Sequence, residues 1–300
     1  MKKKIKYSQS SKERRNSLYN FYSNKFLNMF INKYEWGGLT PEERDFIMKS
    51  YYNKGCISAI NNKTIGLIYV NFAPYMFNIY NYPVSAMPIK TQTMNGTLGN
   101  LIPDKNLKVD EEIVISYIQN TRQSIFNIID PLINKLVDVE MTINTNVKTA
   151  KMPFFVGVSP EDSERMQALI DAIMSDEIAV YGDFKDLQSL KSVVTNTPYI
   201  IDKLYQYKCS LENEILTFLG VNNMGVLEKK EHMITDEMHQ NDETIKTHDD
   251  IFLINMQDFC NKCNEIFGSN ISVKNRYENM EESIEETDEE SEDEENESNN

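Results

Sequence analysis

The sequence predicts a mixed α+β fold, mainly helical, and three observations carry that expectation. Two long stretches, Asp110 to Asn146 and Pro198 to Leu219, repeat apolar residues at the period of an α-helix. Ile57 to Leu107 is instead rich in Val, Ile, Tyr and Phe and is cut by Asn61-Asn62 and Asn95-Gly96, the turn signals of a small sheet. A third block, Met152 to Asn196, mixes both patterns between the two long helices. With 300 residues the chain can bury a sizeable core, as one large domain or two modest ones.

Residues 1–15 carry Lys2, Lys3, Lys4, Lys6, Lys12, Arg14 and Arg15 against Glu13 alone. They lack apolar periodicity and are expected to form a mobile basic arm. A helix follows over 17–34, with Leu18, Phe21, Met29, Phe30 and Tyr34 towards a core and Gly37-Gly38 closing it. Thr40-Pro41-Glu42-Glu43 starts the next helix, with Thr40 as N-cap and Glu43 completing a capping box, and Gly55 lies beyond its end. Trp36, the single tryptophan, falls in the turn between these helices as a packing anchor. In the strand block, Tyr69, Phe72, Tyr75, Phe77, Tyr80 and Tyr82 fit two roles: half-buried strand residues, or a platform for stacking bases.

Asp110 opens the longest helical pattern, with Glu111 and Glu112 in its first turn and Pro131 expected to kink or split it. Phe154 to Val158 and Ile178 to Tyr181 are expected strands, and Ser159-Pro160-Glu161-Asp162 starts a short helix between them. Thr197 as N-cap and Pro198 at the first helical position open a rod of roughly 33 Å that Gly220 closes. From Asn222 to Asp250 nearly every residue is polar or charged, which predicts a long loop, functional or disordered. Ile251 to Ile254 is then an expected strand. Asn255 caps a helix carrying Phe259, Cys260, Cys263, Ile266 and Phe267, and Ile271 to Lys274 forms a last strand. The chain ends in an acidic run expected to be disordered.

The net charge of −15 is unevenly spread. Residues 1–15 hold +6, residues 281–300 hold −12 with twelve acids and no base, and the body between holds −9. The two ends face different partners or solvent. No stretch of about twenty residues is apolar enough to cross a bilayer, so no membrane partner is expected. The basic N-terminus has no apolar run after it and is no secretory signal. Four cysteines (Cys56, Cys209, Cys260, Cys263) form no disulfide framework, and Cys260 and Cys263 sit in a helical pattern as core residues. The three histidines have no metal-ligand spacing, Gly96-x-x-Gly99 lacks the lysine of a phosphate loop, and no nucleophile elbow occurs. The chemistry of a metalloenzyme, nucleotide hydrolase or serine hydrolase therefore has no sequence support, and no catalytic residue, cofactor or metal is expected.

Several runs, in order, resemble a known family. They are Thr197-Pro198-Tyr199-Ile200-Ile201-Asp202-Lys203-Leu204, Leu216-Thr217-Phe218-Leu219-Gly220-Val221, Leu227-Glu228-Lys229-Lys230-Glu231, Thr235-Asp236-Glu237, Asn241-Asp242-Glu243, Val273-Lys274 and Arg276-Tyr277. Tyr34-Glu35-Trp36 with Leu39 and Pro41 adds a weaker match. Together they resemble the portal proteins (head–tail connectors, or upper collar proteins) of small Picovirinae-type podophages, which prime DNA replication with a protein.

That resemblance implies a portal fold assembled as a ring, usually a dodecamer, at the capsid vertex. Genome DNA, double-stranded, would enter and leave the head through it. It divides the chain into a basic arm (1–15), a wing (16–109), a stem helix (110–150) and an α/β clip (151–196). A channel helix (197–221), a channel loop (222–250), a C-terminal region facing the head interior (251–279) and an acidic tail (280–300) complete it. The implied partners are the major capsid and scaffolding proteins, a packaging ATPase, the lower collar or tail protein and, in at least one lineage, a packaging RNA that the basic arm engages. Lys203, Glu228, Lys229, Lys230, Glu231, Asp236 and Glu237 would belong to the channel and its loop. An acidic wall repels phosphates, and each lysine repeated around a ring becomes a basic band, so DNA is held without being gripped. The implied place is the virion, after assembly in the host cytoplasm. The alternative is a nucleic-acid-binding packaging or condensation factor that acts through its basic arm, with salt-dependent, sequence-blind affinity, and forms no ring.

Overall fold

A computed structural model describes residues 7–90, 102–151, 154–157, 191–194, 199–222 and 235–276. The chain divides into two compact units, one combining Ser17–Ile133 with Asn213–Asn300 and the other Met1–Asn16 with Asn134–Glu212.

The first unit is built on a five-stranded antiparallel sheet. Its strands are β2 (Cys56–Asn62), β3 (Gly66–Phe77), β4 (Pro83–Ile89), β5 (Leu107–Lys108) and β6 (Ile113–Tyr117), in the order β5-β4-β3-β2-β6. Ala59 faces Tyr69 across β2 and β3, and Ile60 faces Ile113 across β2 and β6. Ile60, Val70, Phe72, Ala86, Ile102, Leu107 and Ile113 form a buried cluster on this sheet. Such β-branched and aromatic side chains fit a pleated, half-buried surface, which is why the expected sheet appears.

Three helices complete this unit's core. α1 (Tyr7–Lys33) presents Tyr22, Phe26 and Phe30, one turn apart, as its buried stripe, while Phe21 is exposed. α2 (Pro41–Lys54) has the expected capping box: Glu43 N donates to Thr40 Oγ1, and Thr40 N donates to Glu43 Oε2 at 2.8 Å. Gly55, with φ 74°, closes it in the left-handed region. The last described helix, Thr235–Phe267, buries Phe252, Met256, Phe259, Cys260 and Cys263. Phe30 packs edge-on to Phe252 at 6.1 Å, and Tyr51 donates to Ser116 Oγ at 2.9 Å, fastening helix to sheet. A two-stranded ladder, β1 (Tyr34–Gly37) with β9 (Ser272–Asn275), pairs Trp36 with Val273.

In the other unit, α3 (Ile125–Lys151) begins in the first unit and runs into this one, and so in reverse does α4 (Ile201–Phe218). β7 (Phe154–Gly157) pairs antiparallel with β8 (Lys191–Val194). The expected strand at Ile178–Tyr181 and the helix opening at Ser159 lie outside the described residues, as do the caps Thr197 and Pro198. We label the helix Thr235–Phe267 α5.

Six expectations differ from the structure. Asp110 opens no helix: it sits in a turn at φ 60°, and Ile113–Tyr117 is strand β6 because its β-branched run finds β2 as a partner. The helix starts instead at Ile125, where Ser124 Oγ accepts from Asn127 N at 3.1 Å. Pro131 does not split it, since α3 continues to Lys151. Ile251–Ile254 is helix, because Phe252 shares a buried stripe with Met256 and Phe259 at helical spacing. The polar stretch expected as a loop to Asp250 is helical from Thr235, with Ile245 and Asp249 on the buried face. Finally, the arm is helical from Tyr7, and Trp36 lies in a strand.

Candidate functional site

The described ends of the expected channel loop meet at a buried ion pair. α4 ends in a Schellman motif: Gly220 N donates to Thr217 O at 3.0 Å and Val221 N to Leu216 O at 2.9 Å. Gly220 holds φ 65°, the left-handed conformation this motif needs. The carbonyls of Leu219 and Gly220 are left over, and a helix C-terminus carries partial negative charge there. Lys33, the last residue of α1, supplies the cation: its Nζ donates to Leu219 O at 3.2 Å and to Gly220 O.

Asp249 of α5 completes the pair, 2.7 Å from Lys33 Nζ. Its Oδ1 also accepts from Tyr34 OH at 2.7 Å, and its Oδ2 accepts from Asn275 Nδ2. Lys33 is 4% exposed and Asp249 8%, so both charges are out of water and both are fully paired. Burial pulls the Lys33 ammonium below its ordinary pKa, and Asp249 opposes that pull. Burial, then Asp249, pushes the Tyr34 phenol well above its usual value. A Cβ at Gly220 would collide with Lys33 Nζ and stand 2.9 Å from Asp249 Cβ. The cluster thus joins α1, α4, α5 and β9 at one point, and everything between Gly220 and Asp249 leaves and returns there.

The sequence-predicted site residues are differently placed. Lys12 and Arg14 are exposed on α1. Arg15 is half-exposed, with its guanidinium on Asp138 and 3.4 Å from Asn134 Oδ1. Lys203 is exposed in the first turn of α4, next to Asp202 and near the exposed Tyr199, Tyr205 and Tyr207. On the same helix Lys208 pairs with Glu140 of α3 at 2.5 Å. Asp236 and Glu237 fall in the first turn of α5. Lys2, Lys3, Lys4, Lys6, Glu228, Lys229, Lys230 and Glu231 lie outside the described residues. Of the aromatic set, Tyr69 and Phe72 are buried in the sheet, whereas Tyr75, Phe77, Tyr80 and Tyr82 are exposed.

Among the described residues no three His, Cys, Asp or Glu side chains stand together as metal ligands. Burial pushes the Cys260 and Cys263 thiols up to about 12, which disfavours the thiolate that binds metals or attacks substrates. Sequence reasoning placed Gly220 at the helix end but missed Lys33 and Asp249. The only available signal was an isolated lysine closing an otherwise apolar helix stripe.

Two comparisons find similar proteins. A family model described as Phage Connector (GP10) matches residues 3–280 of the chain. Among solved structures, the chain is similar to the portal and tail of native bacteriophage P68, with 13% identity and a TM-score of 0.48 over 98% of each chain.

Proposed function

Since the chain belongs to the Phage Connector (GP10) family, we propose that it forms the ring joining a phage head to its tail. The ring, a dodecamer in this proposal, is the conduit for double-stranded genome DNA during packaging and ejection. It is a structural subunit without catalysis of its own, and it docks a separate packaging ATPase. One observation carries the proposal: the family match runs over nearly the whole length, from residue 3 to residue 280. Capsid and scaffolding proteins contact it on the head side and a lower collar or tail protein on the other. The protein is a virion component at the head–tail junction, assembled in the host cytoplasm.

Within that ring the stretch after Gly220 acts as a catch on the packaged genome. Lys229 and Lys230 would touch phosphates, and Glu228, Glu231, Asp236 and Glu237 would limit their grip. The buried Lys33–Asp249 pair supports this role, because it ties Gly220, where the stretch begins, to α5, the helix into which the stretch leads. The basic residues Lys2 to Arg15 would add salt-dependent affinity for nucleic acid. Lys203 would add a further basic band in the channel.

Negative-stain images and native mass spectrometry of the purified protein test the ring directly: closed rings with a central hole are expected, and a monodisperse monomer would overturn the proposal. Replacing residues 223–234 by a short linker tests the catch. Rings and DNA entry should persist while the fraction of filled heads falls, and full retention would sink it. Deleting residues 2–15 should flatten the salt dependence of DNA binding and leave rings intact, and an unchanged salt slope would exclude the arm.

A further inference from the structure

The outer edge of β6 carries backbone groups that nothing among the described residues pairs. In an antiparallel ladder the N–H and C=O of successive residues point alternately to one side and to the other. Two bonds fix the sides for β6. Ile118 N donates to Gly55 O at 2.9 Å, so Ile118, Ser116 and Val114 face β2. Asp110 N donates to Ile113 O at 2.9 Å, so Ile113, Ile115 and Tyr117 face away from it. The turn after β5 occupies the edge at Ile113, where Val109 forms an isolated bridge. Beyond Ile113, no hydrogen bond among the described residues reaches the outward backbone of Ile115 or Tyr117, and β6 is the last strand of its sheet. Their N–H and C=O groups repeat at the two-residue spacing of a strand, about 7 Å. Such an edge is a template for one more strand.

The edge opens on a groove. A cavity of about 820 Å³ lies beside Ile115 and Tyr117, and Met76, Tyr82 and Val84 of the β3–β4 hairpin line it together with Phe259 of α5. All of these residues belong to the first unit, so the site is complete within it. Most of the charged lining is already committed. Lys262 pairs with Asp110 at 3.2 Å and Lys108 with Glu111 at 3.3 Å. Arg122 donates to Asn81 O at 2.7 Å and lies over the rings of Tyr82 and Tyr117. Asp258, exposed on α5, is the one carboxylate of the lining without a partner among the described residues.

A compact ligand would fill the volume and leave the repeat of donors and acceptors unused. A phosphate-bearing ligand is disfavoured, because each lysine of the lining already has its carboxylate. An extended peptide uses both features: its backbone completes the ladder at Ile115 and Tyr117, and every second side chain reaches the apolar wall. The unanswered charge of Asp258 then selects a cation on that peptide. We propose that the groove beside β6 is a strand-addition site for an extended segment of another protein, apolar at alternate positions and carrying a lysine or arginine for Asp258.

The probe is a fluorescein-labelled hexapeptide, valine alternating with one lysine and two threonines, titrated into the full-length protein. Anisotropy should rise to saturation. Hydrogen exchange read residue by residue should slow at the Ile115 and Tyr117 amides and stay unchanged at Ser116, which already faces β2. Strand addition uses only every second N–H of the peptide. Of two peptides N-methylated at odd or at even positions, one should therefore keep binding and the other lose it. Glutamate in place of the lysine should weaken binding about two- to five-fold, the worth of an exposed ion pair, and Asp258→Lys should reverse that preference. Absence of saturable binding, equal binding of both N-methylated peptides, or protection confined to other segments would overturn the proposal. So would Ile115 and Tyr117 amides already protected in the protein alone, because a second copy or another part of the chain would then fill the edge. A lysine preference that survives Asp258→Lys would overturn the chemistry assigned to the occupant.

Discussion

The Lys33–Asp249 cluster and the β3–β4 hairpin break the usual partition of polar and apolar residues in opposite directions. At the first, two full charges are buried at 4% and 8% exposure. At the second, Ile79 is left 90% in water. The buried pair has all its partners within the chain: two helix-end carbonyls, a phenol and a carboxamide. Among the described residues the hairpin tip has few for its apolar side chains beyond Arg122 over Tyr82, although its own backbone is hydrogen-bonded. A violation satisfied internally fixes the geometry of the chain that carries it. A violation left open points outward, to another molecule. The two sites should therefore respond to mutation in different assays.

Breaking the buried pair is expected to have the largest effect. Asp249→Ala leaves Lys33 charged and unpaired, and removing one member of a buried pair costs about 3–5 kcal/mol. Urea denaturation should show that loss, whereas Tyr80→Asp at the exposed tip should shift stability by no more than about 0.5 kcal/mol. Equal losses at both positions would erase the contrast. Gly220→Ala comes next. Holding alanine in the left-handed region costs roughly 1–2 kcal/mol, and the new Cβ must also displace Lys33 Nζ. A neutral outcome would mean that the Schellman end does not constrain the pair.

The pH dependence sharpens the buried side of the comparison. The phenols of Tyr34, Tyr51, Tyr52 and Tyr69 are all raised above their ordinary value of 10, each chiefly by burial. In the unfolded chain they lose their protons near pH 10, while in the folded chain they keep them. The folded state then binds more protons, so their contribution is fully present below pH 10 and is lost as pH rises above it. Lys33 works the other way, since its folded pKa is lowered and its own contribution grows as pH approaches 10.5. Four phenols outweigh one amine. The thermal midpoint should fall steeply above pH 10, with phenolate absorbance appearing together with unfolding. Gradual phenolate formation in a still-folded protein would contradict the burial.

Much of the local structure was legible in the residues. Thr40 and Glu43 spelled a capping box, Gly55 and Gly220 spelled helix ends, and the Val, Ile and aromatic block before Leu107 spelled a sheet. These signals act within about one helical turn or one strand pair, so reading the neighbours is enough. The failures have a common cause. Ile113–Tyr117 and Ile251–Ile254 are short apolar runs compatible with either period, and each was decided by a distant partner: β2 for the first, the α1 core for the second. The polar stretch before Asp250 looked like a loop because only one narrow face of α5 is apolar there.

The sequence by itself determined the helix ends at Thr40, Gly55 and Gly220, the uneven charge from a basic start to an acidic end, and the hairpin's freedom from charge. It also carried the family, through runs that resemble it in order along the chain. Only the tertiary structure decided that Lys33 and Asp249 form a pair and that Tyr75 and Tyr80 face water while Tyr69 and Phe72 do not. Tyr34 and Asp249 lie 215 residues apart. No local pattern specifies a contact of that span, because its energy exists only once the intervening elements have folded and excluded the water around both groups.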